Sequence, residues 1–380
     1  MSTTDPRVTA ALEESLRRGE LGIQVAAYLN GELIVDACAG EVEPGGAPVT
    51  TTTLFPVFSV TKAITATALH LQAERGLVDY LAPVARYWPE FGAAGKEEMT
   101  VRDLLSHRGG IPWMPEGVTP EKQADWEWMT ERIERTEPAF APGTVNCYHA
   151  LIWGWAVGEL VRRTDGCRRG FDAFVREELL DPLGIDDIHL GLDPRHDGRV
   201  AVLVGGAVPQ GVPEEFLKGM PAAVYPGAEV YNTALARRTV NPGAGGIGTA
   251  SAFARFFALL AGRGELDGIR LLSTERVEEL TTPRPHADEP DLYMGKPARL
   301  SSYGYWVGSS GEGAYPVLGA NPRILHHPGA GGSLAWAELD TGLAVSICHN
   351  AMHDAAPDTP DHPFTPVAEA VREIAAERTS

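Results

Sequence analysis

Two hairpin signals, one near each end of the 380-residue chain, constrain the fold most. Asn30-Gly31 separates the apolar runs GIQVAAYL and ELIVDACA, and this pair supplies the positive φ angles of a type I′ turn. The turn at 340–342 separates SLAWAEL from LAVSICHN in the same way. A helix is predicted beside each hairpin, over 8–18 and over roughly 364–378. The pattern predicts one antiparallel sheet that is built from both chain termini and flanked by helices.

The middle of the chain has helical periodicity and connections rich in proline and glycine. We predict helices over 101–107, 121–136, 151–163, 171–180 and 249–264, and a long ordered loop over 205–230. The predicted fold class is α/β plus all-α, with the helical region inserted into the α/β region. The α/β part covers about 1–75 and 240–380, the mainly helical part covers about 76–239, and 1–380 forms a single catalytic unit. A cleft between the two parts is a favoured place for a small ligand.

Charge and cysteine content exclude several partners and compartments. With 51 acidic and 32 basic residues, the net charge is −19, which disfavours binding to nucleic acids and to anionic membrane surfaces. No segment reaches the ~18–20 apolar residues of a membrane span, and the first residues lack the pattern of a secretory signal. The four cysteines, Cys38, Cys147, Cys167 and Cys348, lie far apart and form no C-x-x-C pair. We therefore predict a cytoplasmic protein with reduced thiols.

The segment FPVFSVTK, residues 55–62, opens a predicted helix that stops at Gly76. Ser59 is expected in the first turn, where free backbone N–H groups and the helix dipole stabilise negative charge. Lys62 lies three residues later on the same face, about 5–6 Å away between Cβ atoms. A lysine with a lowered pKa can take the proton of a serine nucleophile. The alternative interpretation makes Ser59 a helix cap and Lys62 a solvated side chain.

Two later segments carry further candidate groups. Tyr148 lies in PGTVNCYHA, at the boundary of a predicted apolar helix, and a phenolate stabilised by an ammonium group can act as a general base. The alternative is a core tyrosine whose hydroxyl caps a turn. In HHPGAGG, residues 326–332, the glycines let a substrate approach the backbone, whose N–H groups can stabilise an oxyanion. The alternative is an ordinary glycine-rich turn beside surface histidines.

Motifs of other enzyme classes are absent from the sequence. There is no G-x-S-x-G nucleophile elbow, no H-E-x-x-H or H-x-H zinc motif and no G-x-x-x-x-G-K-[ST] phosphate loop. The glycines at 243–248 follow no apolar strand, so we interpret them as a turn before the 249–264 helix. The sequence therefore predicts neither a metal nor an organic cofactor.

Taken together, these segments resemble the serine β-lactamase and penicillin-binding-like superfamily, in its class C-like branch and closest to the family VIII carboxylesterases. The resembling stretches follow the family order: LFPVFSVTK (54–62), VARYWPEF (84–91), TVRDLLSHRGGIP (100–112), PGTVNCYHALIWGWAVGELVRR (142–163), EELLDPLGI (177–185), LLAGRGELDGIRLLS (259–273) and HHPGAGGSLAWAELDTGLAVSI (326–347). The resemblance implies a β-lactamase/transpeptidase-like fold.

The resemblance also implies roles for individual residues. The S-x-x-K motif matches Ser59 as nucleophile and Lys62 as its general-base partner, and the catalytic tyrosine matches Tyr148. The third motif of the family, K-T-G or H-x-G, matches His327-Pro328-Gly329. The backbone N–H groups of Ser59 and Ala330 would then form the oxyanion hole.

Two departures from the β-lactamase pattern favour an esterase. Ala150 replaces the asparagine or serine that hydrogen-bonds the substrate amide, and alanine cannot do so. His327 replaces the lysine that holds a carboxylate. We therefore predict that substrates contact Ala150, His327 and Gly329. The predicted function is hydrolysis of carboxylic esters, most readily those with short acyl chains, through an acyl-enzyme on Ser59.

Several alternatives stay open from sequence. An acyltransferase or an amide or β-lactam hydrolase would use the same Ser-Lys-Tyr machinery. A non-catalytic penicillin-binding-like protein is a remote alternative, because such a protein is expected to lose one of the three residues. The predicted partner is a small-molecule ester, with no nucleic acid and no membrane, and homo-oligomer formation is left open.

Overall fold

The computed structural model describes residues 5–310, 315–353 and 359–379. The strands are β1 Gly22–Leu29, β2 Glu32–Gly40, β3 Phe55–Phe58, β4 Ile188–Leu190, β5 Val204–Gly205, β6 Gly246–Gly248, β7 Glu265–Leu266, β8 Ile269–Arg270, β9 Trp306–Val307, β10 Ile324–Pro328, β11 Leu334–Glu338, β12 Leu343–His349 and β13 Ala351–Met352. The α-helices are α1 Pro6–Arg17, α2 Thr61–Glu74, α3 Val101–Leu105, α4 Pro120–Ala124, α5 Trp126–Arg135, α6 Ile152–Thr164, α7 Phe171–Val175, α8 Glu214–Gly219, α9 Ala228–Tyr231, α10 Ala234–Arg238, α11 Ala250–Ala261, α12 Thr274–Glu279 and α13 Thr365–Thr379.

The principal sheet is antiparallel and has the strand order β2-β1-β12-β11-β10-β9. The first hairpin turns at Asn30 and Gly31, whose φ angles are 50° and 83°, as a type I′ turn requires. Strand β1 then pairs with β12 from the other end of the chain, with Val25 opposite Ile347. This arrangement confirms the predicted fold class, an antiparallel sheet built from both termini.

Side chains alternate along β1 between two hydrophobic cores. Val25 and Ala27 pack with helices α1 and α13 on one face, while Ala26 and Tyr28 pack in the larger core on the other face. Helix α11 covers that second face and contacts both β1 and β12. The sheet is therefore enclosed between helical layers, and the larger core continues from α11 into the helical region around α2 and α6.

Helix α2 runs through the centre of the larger core, and every residue from Thr61 to Ala73 is buried. It packs along α6. A small sheet in the order β3-β6-β4 lies at its N-terminal end, and the Gly246 N–H donates to Thr61 Oγ1 at 2.8 Å. The helix begins at Thr61, so Ser59 lies in the link between β3 and α2 and not in the first helical turn.

The structure differs from the sequence prediction in three connecting regions. The helix predicted over 121–136 is divided into α4 and α5, because Asp125 leaves the helical conformation and caps α5 through the Trp128 N–H. The loop predicted over 205–230 contains α8 and α9, and the turn predicted over 243–248 contains β6. The boundaries assigned to the α/β and helical parts stay a prediction. Among the described residues, no helix combines the length and apolar character needed to cross a bilayer.

Candidate active site

Ser59 follows directly on a residue with an uncommon backbone conformation. Phe58 has a φ angle of 50°, in the left-handed region that non-glycine residues seldom occupy. Its buried ring packs on Tyr231, with 4.8 Å between ring centroids, which holds this turn of the backbone in place. The turn directs Ser59, which is partly exposed, to the wall of a large cavity.

Lys62 is fully buried beneath Ser59, with its Nζ atom 3.0 Å from Ser59 Oγ. The same nitrogen donates to the carbonyl oxygens of Ala150 and Gly243, both at 2.7 Å. No acidic side chain of the described residues pairs with it. Burial therefore lowers the pKa of Lys62 to about 7, because the charged form loses its hydration.

Tyr148 lies in the connection before α6, and it lines the cavity beside Ser59. Lys62 Nζ is 5.4 Å from the centroid of its ring. Burial raises the pKa of Tyr148 well above its usual range, and the interaction with the Ser59 side chain only partly opposes this shift. The phenol is therefore neutral in the free protein, unlike the phenolate that the sequence analysis considered.

A buried ion pair beneath Tyr148 fixes its backbone, and sequence reasoning missed it. Arg284 Nη2 and Asp291 Oδ2 lie 2.7 Å apart, and both side chains are 0% exposed. The other carboxylate oxygen, Asp291 Oδ1, accepts a hydrogen bond from the Tyr148 N–H at 3.0 Å. It also accepts from the N–H groups of Tyr293 and Met294. Neither residue lies in a motif, so only the tertiary structure relates them to Tyr148.

The third motif brings a glycine-rich turn against the segment that precedes Ser59. A Cβ atom at Gly329 would lie 2.3 Å from the Val57 carbonyl oxygen, so only glycine permits this close contact between β3 and the residue that follows β10. The chain then turns through Gly331 and Gly332, which have φ angles of 79° and 131°. Ala330 thereby lines the cavity together with Ser59. An oxyanion hole formed by their two N–H groups stays a prediction.

The three residues predicted to contact substrate occupy different positions. Gly329 and Ala150 line the cavity, and the Ala150 carbonyl also holds Lys62. The His327 ring is fully buried and does not line the cavity, with its Nδ1 atom 2.9 Å from the Pro328 carbonyl oxygen. Burial and the nearby Lys62 lower the pKa of His327 well below its usual range, so this ring is neutral. Direct contact between His327 and a substrate stays a prediction.

The cavity in front of Ser59 has a volume of about 830 Å³. Its wall is mainly apolar, with Val208, Val212, Phe216, Met220, Tyr225, Tyr293, Met294, Trp306, Tyr315 and Met352 among the lining residues. Several of these come from 205–230, where the sequence indicated only an irregular loop. A cavity of this size and character can take a small, largely apolar molecule.

Fold and site together define a serine hydrolase-like protein of the β-lactamase and penicillin-binding-like class. The chain belongs to the beta-lactamase family, whose model matches residues 8–369. It is 34% identical to the esterase/beta-lactamase LipL of Mycobacterium tuberculosis over 374 residues, which cover 94% of this chain and 83% of that protein. The family resemblance inferred from sequence is thus confirmed.

Solved structures agree with this assignment. A family VIII carboxylesterase superposes with a TM-score of 0.87 and 31% identity, covering 97% of both chains. A penicillin-binding protein homologue from Caulobacter crescentus gives a TM-score of 0.85 and 29% identity, covering 97% of this chain and 98% of that one. Both similarities extend over the helical and the α/β regions.

Proposed function

We propose that this protein is a serine carboxylesterase that hydrolyses esters through an acyl-enzyme on Ser59. The observation that carries the proposal is the environment of Lys62. A neutral amine has two N–H groups and one lone pair. Because the carbonyls of Ala150 and Gly243 accept the two N–H groups, the lone pair is left to face Ser59 Oγ at 3.0 Å. In this state Lys62 is arranged to accept the serine proton.

The reaction then proceeds in balanced steps. Ser59 Oγ attacks the acyl carbon while its proton passes to Lys62, and the N–H groups of Ser59 and Ala330 stabilise the oxyanion. The neutral Tyr148 hydroxyl donates its proton to the departing alkoxide and regains one from the Lys62 ammonium. Water next attacks the acyl carbon and gives up a proton to the same pair. The bond between the acyl carbon and Ser59 Oγ then breaks, the pair returns the proton to Ser59 Oγ, and the carboxylic acid leaves.

Cavity chemistry supports an ester of modest polarity as substrate. The wall is largely apolar, and the positions that would bind an amide or a carboxylate hold Ala150 and the neutral His327. The missing charge-assisted contact to a carboxylate weakens binding by roughly 1.5–3 kcal/mol, and the missing neutral hydrogen bond to an amide by roughly 0.5–1.5 kcal/mol. Short-chain p-nitrophenyl esters require neither contact and carry a good leaving group. The names of the esterase relatives, LipL and the family VIII carboxylesterase, support the same substrate class.

A second candidate function is slow β-lactam hydrolysis. It is favoured by one specific observation, the double name esterase/beta-lactamase of the LipL relative. A β-lactam carbonyl would use the same nucleophile and the same backbone N–H groups. Weak recognition of the ring carboxylate and the side-chain amide should limit this reaction, and nitrocefin, the most activated ring, is the expected exception.

The test compares the two substrate classes on one enzyme preparation. We expect kcat/KM for p-nitrophenyl acetate or butyrate to lie well above the value for any penicillin or cephalosporin. A series of p-nitrophenyl esters then gives the preferred chain length, and added alcohols measure how often acyl transfer replaces hydrolysis. Efficient penicillin hydrolysis with negligible ester turnover would overturn the esterase assignment, and preferential transfer to the alcohol would make the protein an acyltransferase.

A further inference from the structure

A second cluster of reactive side chains lies behind the glycine-rich turn and takes no part in the mechanism above. It consists of Glu20, in the link between α1 and β1, His349 at the end of β12, and His353 just after β13. One ligand atom from each of the three lies within 4.8 Å of the other two. The chain topology is the reason for this proximity, because β1 and β12 are neighbours in the sheet.

The Glu20 carboxylate is buried without a fixed positive charge beside it. Its side chain is 0% exposed, and in the described part of the chain no lysine or arginine pairs with it. His349 Nδ1 lies 3.1 Å from both carboxylate oxygens, and His353 Nε2 lies 2.6 Å from Oε1. A buried carboxyl group stays ionised only beside a compensating cation, and here that cation is either a protonated imidazole or a bound metal ion.

Two imidazole nitrogens and one carboxylate oxygen form a common ligand set for zinc. Protein zinc sites place such atoms about 2.0–2.2 Å from the ion, which puts tetrahedral neighbours a little over ~3 Å apart. The distance from His349 to Glu20 already meets this requirement. The His353 nitrogen has to retreat by less than ~1 Å, and its side chain, 21% exposed, is the most exposed of the three.

We propose that Glu20, His349 and His353 bind one divalent transition-metal ion of the zinc type. His353 lines the active-site cavity, so the ion and a water ligand can reach the site from that side. Three protein ligands leave a fourth position open for that water. None of the three ligands belongs to the proposed catalytic residues around Ser59. We expect the ion to stabilise the fold and to take no direct part in ester hydrolysis.

The proposed metal site contacts the glycine-rich turn that carries Ala330. The His353 N–H donates to the Gly331 carbonyl oxygen at 2.8 Å. On the other side, the His349 ring lies so close to Gly332 that a Cβ atom there would be 2.8 Å from His349 Cε1. An ion that fixes both rings would therefore restrict the turn that carries the Ala330 N–H. Metal binding is expected to raise the melting temperature, because it stabilises only the folded chain.

The test measures metal directly and requires no ester turnover. Untagged full-length protein is treated with chelator, dialysed against Zn²⁺ and analysed for bound zinc. Co²⁺ is then added to the chelator-treated protein, and its visible absorption reports the coordination geometry. We expect about one ion per chain and the intense bands of a four-coordinate site.

Matched variants locate the ion. Glu20→Gln and His353→Ala should each weaken binding by more than the ~10–100-fold seen when only outer-shell partners of a metal site are lost. His286→Ala is the control, since His286 is an exposed histidine that also faces a carboxylate, Glu289, at 3.0 Å. Circular dichroism checks that each variant is folded.

Two results would overturn the proposal. The first is a wild-type protein that retains no more zinc than the dialysis buffer contains. The three residues would then form a hydrogen-bonded cluster without a metal ion, and no variant is needed to reach this conclusion. The second is zinc retained equally by folded Glu20→Gln, His353→Ala and His286→Ala, which would place the ion elsewhere.

Discussion

Lys62 Nζ lies 3.0 Å from Ser59 Oγ, and the amine is held by backbone carbonyls and not by a carboxylate. The carbonyl groups accept the N–H groups of Lys62, but they stabilise its ammonium form less than a carboxylate would, so the pKa of Lys62 stays lowered. This relationship makes the protonation state of Lys62 the feature of the site that is most sensitive to pH.

The pH dependence of ester hydrolysis should follow Lys62. Its pKa is lowered from 10.5 to about 7, and only the neutral amine can accept the serine proton. We expect kcat/KM to rise about tenfold per pH unit below pH 7 and to level off above it. The raised pKa of Tyr148 places any alkaline loss well beyond this plateau. Initial rates with p-nitrophenyl butyrate, read at an isosbestic wavelength, check this, and a flat profile between about pH 5.5 and 9 would contradict it.

Ser59→Ala should remove both ester hydrolysis and labelling by a fluorophosphonate, since both need the serine oxygen. The expected loss in kcat is at least ~10⁴-fold. The fold should persist, because the change deletes one partly exposed oxygen. Unchanged circular dichroism is the control, and residual activity within tenfold of wild type would place the nucleophile elsewhere.

Lys62 and Tyr148 should behave as one proton-transfer unit. Lys62→Ala and Tyr148→Phe are each expected to lower kcat by several orders of magnitude, because each interrupts the same proton path. Groups that act as a unit show losses that do not multiply. The double variant should therefore be little slower than either single variant. Full multiplication of the two losses would mean that the residues act independently.

Gly329→Ala should impair catalysis more than stability. The new Cβ atom would meet the Val57 carbonyl oxygen at 2.3 Å, so the turn that carries Ala330 has to move away from Ser59. Loss of one oxyanion donor lowers kcat by ~10²–10³-fold in other serine hydrolases. Gly166→Ala is the matched control, because a Cβ atom there would meet nothing within 4 Å. A folded Gly329→Ala enzyme with wild-type kcat would exclude this turn from the oxyanion hole.

Asp291→Asn should reduce both stability and activity. The change leaves Arg284 charged and buried without its partner, and such a loss destabilises proteins by about 3–5 kcal/mol. It also alters the acceptor of the Tyr148 N–H, which should lower kcat with little change in KM. Urea denaturation and steady-state kinetics measure the two effects.

The control for this variant is Asp288→Asn, which breaks an ion pair with Arg299 at the surface, where Asp288 is 81% exposed. Screening by water makes such pairs weak, so stability and kcat should stay at the wild-type level. Equal effects of the two substitutions would show that Asp291 has no special role beneath Tyr148.

The sequence was most informative where local rules decide the structure. Asn30-Gly31 specified its turn because few other pairs tolerate two positive φ angles, and the terminal hairpins then implied the principal sheet. The spacing of Ser59 and Lys62 likewise predicted their proximity. In both cases the interacting residues are near neighbours in the chain.

Contacts between residues that are far apart in the sequence could not be predicted from local patterns. Strand β6 has glycine at both ends, because a Cβ atom at Gly246 would lie 2.7 Å from Thr61 Oγ1 and one at Gly248 would lie 2.4 Å from the Asp187 carbonyl oxygen. No residue near β6 in sequence reveals these constraints. The same holds for Asp291 beneath Tyr148 and for Glu20 beside His349. The burial of His327 was also not predicted, because its neighbours in sequence indicated either contact with substrate or an ordinary turn beside surface histidines.

The pairing of β1 with β12 has a consequence for the newly synthesised chain. The hairpin of β1 and β2 is synthesised before β12. The edge of β1 that pairs with β12 therefore stays uncovered until the partners of β1, such as Leu343 opposite Leu29, have been made. An uncovered strand edge is prone to wrong pairing, and a fold with such distant contacts forms slowly. Ser59 and Lys62 are also made long before Ala330. On the roles proposed here, a partly made chain holds the nucleophile without its oxyanion donor, so acylation of Ser59 requires a chain that extends at least as far as Ala330.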